Sequence, residues 1–465
     1  MDFIVEPERE TPVLMDVDVA VVGGGPAGTC AALASARNGA DTLLIEAYGS
    51  LGGMGTLGLM SVGNYAFGLE RAPGITKEIF DKMRKTGGAI DYQEKWPKAT
   101  TSNPLAHFAY WEGYSLDVFD PESFKITVNE MMEESGVKLL FYTRFADTIV
   151  EDDHIKAILV ENISGRQAIR GRVFVDATGS GDVAARSGVP YTEPRDATGV
   201  PMPMSLMYKI SGVNFEKLLE YQKKDPELTE LISKAKEKGE LPYYRAKKPV
   251  KDMGGHYDAI YSGHIHLEMS PLIHPGELLC WGGPTPHEWG LDGTKAQDLT
   301  KAEIEIRKQI WSEVNFLKKH VPGFENAFLS AVAPYMGVRE KRHPIGEYVL
   351  TYDDIENGRK FDDVVLKMFP DPGITIVRKR QPMNKFDVPY RSLLPKKIDN
   401  LLLAGDNTST DHGAFLHTRG VQKCMVKGEV AGIAAALSVE NKAKPKDLDY
   451  RELRERLIKR GLLTD

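Results

Sequence analysis

Residues 16–47 read "DVDVAVVGGGPAGTCAALASARNGADTLLIEA", and this stretch constrains the fold more than any other. Val17 to Val22 is a short β-branched run, as expected of a strand buried on both faces. Gly23-x-Gly25-x-x-Gly28 then opens an alanine-rich segment whose small residues suit a helix packed closely on a sheet. Asn38-Gly39 ends that helix, and "DTLLIE" is a second strand finishing at Glu46. Strand, glycine turn, helix and acid-ended strand in this order form a dinucleotide-binding unit, whereas an isolated G-x-G-x-x-G would be weak. Gly23 permits the tight turn, Gly25 the approach of backbone to a pyrophosphate, and Gly28 the helix–strand contact. The helix N-terminus adds N–H donors and a positive dipole end. Glu46, 18 residues beyond Gly28, stands where a carboxylate takes a ribose 2′-hydroxyl and repels a 2′-phosphate, which disfavours NADP. The unit alone leaves FAD and NAD both open.

Composition narrows the class. With 465 residues, two or three structural units are expected. Lys plus Arg is 59 against 66 Asp plus Glu, a net charge of −7, which excludes a basic nucleic-acid footprint. Cys30, Cys280 and Cys424 are far apart and form no C-x-x-C, which argues against zinc ribbons, iron–sulfur ligation and an active-site dithiol. The N-terminus lacks a basic start and apolar core of a signal peptide, and no apolar run reaches the ~18 residues of a membrane span. The chain is therefore expected to be soluble and cytoplasmic, with no membrane partner.

A glycine-dense loop, "YGSLGGMGTLGLMSVG", follows the first unit, and a helical pattern covers Gly74 to Lys85. Another helix is N-capped at Asp120 with Pro121 at its first position. "KLLFYTRF", "ADTIVEDD", "HIKAILVEN" and "RQAIRGRVFVDAT" read as short strands leading to a second glycine cluster, "DATGSGDVAARSG". From about Pro201 to Asp387 the pattern changes to charged amphipathic helices, one of them capped at Thr300, and a strand-like "DAIYSGHIHLEM". The end returns to strand–turn–helix, "LLLAGDNTSTDHGAFLHTRG" running into a segment rich in alanine and glycine.

"DVAVVGGGPAG…LLIE" with "LGGMGT", then "DATGSGD", then "NLLLAGD" resembles the three-part signature of FAD-dependent oxidoreductases of the glutathione-reductase-like superfamily. More narrowly, "DPESFKITVNEMMEESGVKLLFYTRF", "YMGVREKRHPIGEYVLTYDDI" and "VPYRSLLPKKIDNLLLAGD" resemble the single-chain FAD-dependent oxidoreductase family, related to the heterodisulfide reductase flavin subunit and fumarate reductase flavoproteins. The resemblance spans nearly the whole chain. It implies an α/β fold: a Rossmann-like FAD-binding domain, discontinuous over 1–200 and 385–465, with an inserted mixed α+β substrate or cap domain over 201–384. It also implies contacts to FAD from Gly23, Gly25, Pro26, Ala27, Gly28 and Glu46, then from Gly52, Gly53 and Met54 along the flavin. Arg144 and Ala146 would lie near the adenine; Ala177, Thr178, Gly179 and Asp182 would close over the nucleotide. Gly405 and Asp406 would meet the ribityl chain, and Gly420 and Val421 the isoalloxazine. The chain departs from other branches of the superfamily in having no cysteine pair beside the flavin, no iron–sulfur cysteines and no tethering histidine in "LGGMGTLGLMSVG", so noncovalent FAD is expected. Gly179-x-Gly181-x-x-Ala184 is not followed by a helix and acid-ended strand, so no dedicated NAD domain is expected, and NAD(H) stays open as a diffusible co-substrate.

Proton transfer beside a flavin needs a group titrating near neutrality, which makes His412 and His417 catalytic candidates, against the plainer reading that they hold the loop. Arg419 would sit at a helix N-terminus facing the flavin. Arg339, Lys341, Arg342 and His343 in "MGVREKRHP" are either interdomain contacts or a functional group, as a clamp for a carboxylate-bearing substrate or as electrostatic support for reduced flavin, which puts Arg339 with Arg419 among the catalytic candidates. Five of the eleven histidines fall between His256 and His287, and His264-x-His266 would share one strand face, yet no third ligand has a convincing spacing and no metal is expected. The expected activity is hydride transfer between a small polar organic substrate and FAD. A flavin monooxygenase and a flavin-carrying electron-transfer subunit are the alternatives, and a homo-oligomer is compatible with either.

Overall fold

The structure is a computed structural model that describes residues 4–61, 72–91, 117–193, 202, 204–222, 234–235, 237–240, 268–281, 290–370 and 384–463. In chain order the strands that build the site are β1 (Val13–Val22), β2 (Thr42–Ile45), β3 (Lys138–Leu140), β4 (Arg144–Glu151), β5 (His154–Asn162), β6 (Gly165–Asp176), β7 (Tyr208–Ser211), β8 (Glu268–Pro271), β9 (Leu278–Trp281), β10 (Phe328–Val332) and β11 (Leu401–Leu403). The helices used below are α1 (Pro26–Arg37), α2 (Gly74–Lys85), α3 (Pro121–Glu134), α4 (Ala296–His320), α5 (His412–Thr418) and α6 (Val421–Glu440).

The first sheet has the order β3-β2-β1-β6-β5-β4, with β11 also paired to β6. Strands β3, β2, β1, β6 and β11 run parallel; β5 and β4 are antiparallel additions. Strand β6 serves two neighbours on one edge, holding β5 along Gly165–Ile169 and β11 along Phe174–Asp176. Residues alternate between two buried faces: Val19 and Val21 in one core, Ala20 and Val22 in the other, which explains the unbroken apolar run. The strand starts at Val13, not Val17, because β6 continues the ladder to Ala168.

Two helices rich in small residues lie against each other over this sheet. A Cβ on Gly428 of α6 would come within 2.0 Å of the Ala27 carbonyl oxygen of α1, and one on Gly432 within 2.2 Å of the Ala31 carbonyl oxygen. The alanine and glycine content of both segments is thus a condition for backbone-to-backbone packing. Asp120 caps α3 as the sequence predicts, its side chain accepting from the amides of Glu122 and Ser123.

The second sheet is antiparallel, in the order β8-β9-β7-β10. One face carries Tyr208, Ile210, Leu278 and Cys280 against Ala302, Ile306, Ile310, Val314 and Leu317 of α4. The other turns Met207 and Leu279 toward Met54 and Met60 of the glycine-dense loop. Helix α4 starts at Ala296, ahead of the Thr300 cap expected from sequence; Thr300 instead donates its hydroxyl to the Ala296 carbonyl inside the first turn. The α/β class with a parallel sheet and a second, mixed unit is as the sequence implied. Leu350, Ile355, Phe361, Val365 and Met368 share the core of β1 and α6, so that core draws on residues ahead of 384. Among the described residues no helix is long and apolar enough to cross a membrane.

Candidate functional site

A cavity of about 880 Å³ opens at the carboxyl edge of the parallel strands, between the two sheets. Turns following β1 (Gly23, Gly25, Pro26, Ala27), β2 (Glu46, Tyr48), β6 (Ala177 to Ser180) and β11 (Ala404, Asp406) form one side. Ser205, Met207, Thr294, Leu299 and part of Tyr335–Arg342 form the other.

The first turn is dictated by its glycines. Gly23 has φ +100°, and a Cβ on Gly28 would lie 1.7 Å from the Gly23 carbonyl oxygen. Gly28 therefore sits behind the wall, securing the helix–strand contact, while a Cβ on Gly25 would meet nothing within 4 Å. Gly25 is also the N-cap of α1 and gives it no side-chain cap, and Gly25, Pro26 and Ala27 at this helix N-terminus line the cavity. Glu46 is buried at the end of β2; its Oε2 accepts from the Gly24 amide at 2.6 Å and Oε1 from the Tyr48 amide at 2.8 Å. Burial raises its pKa despite these bonds.

The second turn hangs on Asp176, the last residue of β6. Its carboxylate accepts from Thr178 N and Oγ1, from Ala184 N, and from Asn407 Nδ2 at 2.8 Å. Burial pushes its pKa up to about 6. Asn407 in turn accepts from the Gly181 amide at 2.9 Å, tying the turn after β6 to the turn after β11. Asp176 and Asn407 were absent from the residues singled out above; a carboxylate ending a strand in "DATG" was the available signal. Asp182 lines the cavity and binds Arg342 Nη1 at 2.8 Å.

In the third turn a Cβ on Gly405 would meet Ala27 Cβ at 2.6 Å, so Gly405 lies behind the wall and Asp406 on it. Cys424 Sγ donates to Asp406 Oδ1 at 3.0 Å. Gly420 caps α6 with φ +114° and no side-chain hydrogen bond. Arg419, Gly420, Val421, Lys423 and Cys424 all line the cavity. Burial draws the Arg419 guanidinium down to about 10, so it is still protonated at neutral pH. Gly53 and Met54 line the cavity; Gly52, at φ +97°, turns the chain behind them. Arg144 and Ala146 line it beside Glu46.

The two histidines are placed differently from the expectation. Neither His412 nor His417 lines the cavity. His412 Nδ1 and His343 Nε2 both lie 2.8 Å from Oε1 of the fully buried Glu340. Burial would push the Glu340 carboxyl up, but the two histidines outweigh it and hold it below its ordinary range. His417 is buried, stacked on Tyr352 at 5.7 Å, with its carbonyl accepting from Lys423 Nζ at 2.7 Å. The residues flanking Glu340, Arg339 and Lys341, do face the cavity. Lys341 Nζ donates to Tyr335 at 3.3 Å; burial draws it down, but Tyr335, Asp182 and Asp406 more than offset this and raise its pKa. His256, His264, His266 and His287 lie outside the described residues. Among the described residues no group of three or more His, Cys, Asp or Glu is placed to hold a metal.

These features fit a dinucleotide bearing a flavin. Two uncapped helix N-termini open on one cavity, and at Gly25 and Gly179 a Cβ would project into open space where backbone can meet a ligand. Residues 18–457 match the family described as FAD dependent oxidoreductase. A digeranylgeranylglycerophospholipid reductase of Methanopyrus kandleri is 27% identical over 213 residues, 43% of this chain and 46% of that protein. Its Methanosarcina acetivorans counterpart is 25% identical over 175 residues, 35% and 37%. The chain thus spans less than half the length of these curated relatives. Among solved structures, a geranylgeranyl bacteriochlorophyll reductase-like protein of Thermoplasma acidophilum is similar at 12% identity with a TM-score of 0.45, covering 96% of this chain and 83% of that one. A p-nitrophenol 4-monooxygenase of Pseudomonas putida is similar at 13% identity with a TM-score of 0.48, covering 96% and 86%.

Proposed function

The chain belongs to the FAD dependent oxidoreductase family, and from that premise we propose that it moves a hydride between noncovalently bound FAD and a carbon atom of a small organic substrate. FAD, when bound, supplies the two-electron chemistry. The chain's own residues hold and tune it. Amides of the α1 first turn and the Gly179 turn would take the pyrophosphate, with Lys341 offsetting its charge. Glu46 would accept from the ribose and Asp406 from the ribityl hydroxyls. The observation that carries the reading is the N-terminus of α6, uncapped and flanked by the charged Arg419 on the cavity wall. A helix N-terminus favours negative charge by about 0.3–1 kcal/mol, and more in buried surroundings. That is the electrostatic requirement of a site that must accept electrons as a hydride. With both histidines off the wall, His412 is assigned a positioning role through Glu340 rather than a proton-transfer role.

The test is anaerobic titration of the purified protein with metabolites while the visible flavin band is followed. Stoichiometric bleaching by a small molecule is expected. Bleaching by NADH in the same assay would make NAD(H) the diffusible co-substrate, as the sequence left open. A protein that takes up no FAD, or whose flavin bleaches only with a protein donor, overturns the reading.

A further inference from the structure

Side chains from the two sides of the cavity touch each other in an aromatic pair. Tyr48, in the turn after β2, and Tyr335, in the bend after β10, both line the cavity, and their rings meet edge to face with centroids 5.7 Å apart. Tyr48 belongs to the parallel sheet. Its amide donates to Glu46 Oε1 at 2.8 Å and its carbonyl accepts from the Tyr142 amide at 3.2 Å, so its backbone is held on both sides. Tyr335 belongs to the second unit. It stands between Ala333, whose amide donates to the Met207 carbonyl, and Gly337, whose amide donates to the Ser205 carbonyl, both at 2.9 Å. The Tyr335 hydroxyl accepts from Lys341 Nζ at 3.3 Å, and the same ammonium lies 5.7 Å from the Tyr335 ring centroid. Tyr48 is 37% exposed and Tyr335 is half-buried, so the pair stands where the cavity meets solvent. It also stands in the nucleotide half of the site, since Glu46 holds the Tyr48 amide and Arg144 lies near the Tyr48 hydroxyl.

Resting on the reading that FAD occupies this cavity, we propose that Tyr48 and Tyr335 form a clasp over the nucleotide half of the cofactor, and that FAD enters and leaves only when the two rings separate. The contact is between side chains, so rotation of a ring about its own side-chain bonds opens it while both sheets stay folded. The edge pair and the Lys341 bond keep the closed arrangement dominant. A clasp must open for passage in either direction, so it slows entry and exit alike. A residue that only touches the bound cofactor slows exit alone. Tyr335 is thus a positioning residue that sets the rate of cofactor exchange more than its affinity.

FAD exchange on the holoenzyme tests this. The release rate is read by chasing bound FAD with excess labelled FAD, and the dissociation constant by flavin fluorescence on dilution. The release rate divided by that constant gives the association rate. Tyr335→Ala should speed release at least tenfold while the dissociation constant moves less than threefold, so that association rises with it. Tyr335→Phe keeps the edge contact and loses only the Lys341 bond, and its release should stay within threefold of the parent. Tyr48→Ala keeps the backbone bonds to Glu46 and Tyr142 and should speed release as Tyr335→Ala does, with the double variant no faster than either. Release that speeds at an unchanged association rate makes Tyr335 an ordinary contact and overturns the proposal, as does release unmoved by either alanine variant. The hydride reading is judged separately. FAD that exchanges as expected but is bleached by no small molecule removes that reading and leaves the clasp. Bleaching by a small molecule with exchange unaltered in the variants does the reverse.

Discussion

The two sides of the cavity are built on different principles. On the parallel-sheet side, the surface is made by backbone: glycines that allow close approach, uncapped helix ends, and buried carboxylates that fasten backbone amides. Glu46 holds Gly24 and Tyr48, Asp176 holds Thr178 and Ala184, and Glu429 on α6 holds the Ile75 amide in the first turn of α2 at 2.6 Å. On the other side, long side chains from an antiparallel sheet, a helix start and the 335–342 segment supply shape and charge. A backbone-built surface has few ways to be made, so it tolerates little change. A side-chain-built surface can be altered without disturbing the fold. The contrast predicts a ranking of effects.

The largest should come from one methyl group in the α1–α6 contact. Gly428→Ala in an ordinary helix interior would gain about 1 kcal/mol. Here the added Cβ meets the Ala27 carbonyl at 2.0 Å, and overpacking of this kind typically costs 1–3 kcal/mol. We expect a loss of about 3 kcal/mol in urea unfolding, with loss of retained FAD because Ala27 lines the site. A neutral or stabilising result would break the comparison.

Glu429 gives a pH signature on the same side. Burial raises its pKa from 4.5 to about 7, offset only in part by the Ile75 amide and Arg460. A carboxyl whose pKa is higher folded than unfolded contributes most below 4.5 and loses that contribution as pH rises to about 7. The full shift corresponds to about 3 kcal/mol. Glu429→Gln removes the titration while leaving an acceptor for Ile75. The variant's urea midpoint should fall less steeply than the parent's between pH 6 and 7.5. Asp176, raised to about 6, leaves a residual slope at lower pH. Parallel curves for parent and variant would remove Glu429 as the cause.

Glu46→Gln should act on the cofactor more than on stability. The amide keeps one acceptor oxygen but turns an N–H donor toward one of two backbone donors, Gly24 or Tyr48. Losing a hydrogen bond to a charged group costs about 1.5–3 kcal/mol. At least a tenfold weaker FAD affinity is expected, measured by flavin fluorescence on dilution. An unchanged affinity would mean that Glu46 serves only to shape the turn.

The same division decides what could be read from sequence. The parallel-sheet side was legible because its geometry is local. Gly23, Gly25 and Gly28 at fixed spacing, Glu46 at a strand end, and Gly405-Asp406 after "LLLA" each announce a backbone geometry within a few residues. The shared small-residue character of α1 and α6 was visible, although not that Gly428 meets Ala27, because that contact joins segments about 400 residues apart. The opposite side was not legible for the same reason. Glu340 takes its meaning from His343 and from His412, which lies 72 residues away. Two histidines near "AGD" look catalytic in sequence, and only the fold shows that one faces a buried carboxylate and the other stacks on Tyr352.

The smallest effect should therefore come from the residue that looked most catalytic. His412 directs Nδ1 at Glu340 and lies off the cavity wall, so His412→Asn keeps a donor for that carboxylate while removing the imidazole as a proton carrier. With the 339–341 backbone still held by His343, flavin reduction at saturating substrate should slow less than threefold, and the pH profile of the rate should keep its shape. General acid–base catalysis by a histidine contributes 10²–10⁴-fold. A tenfold slowing together with a changed pH profile would therefore place His412 in proton transfer. It would also show that the side-chain-built wall rearranges when substrate enters.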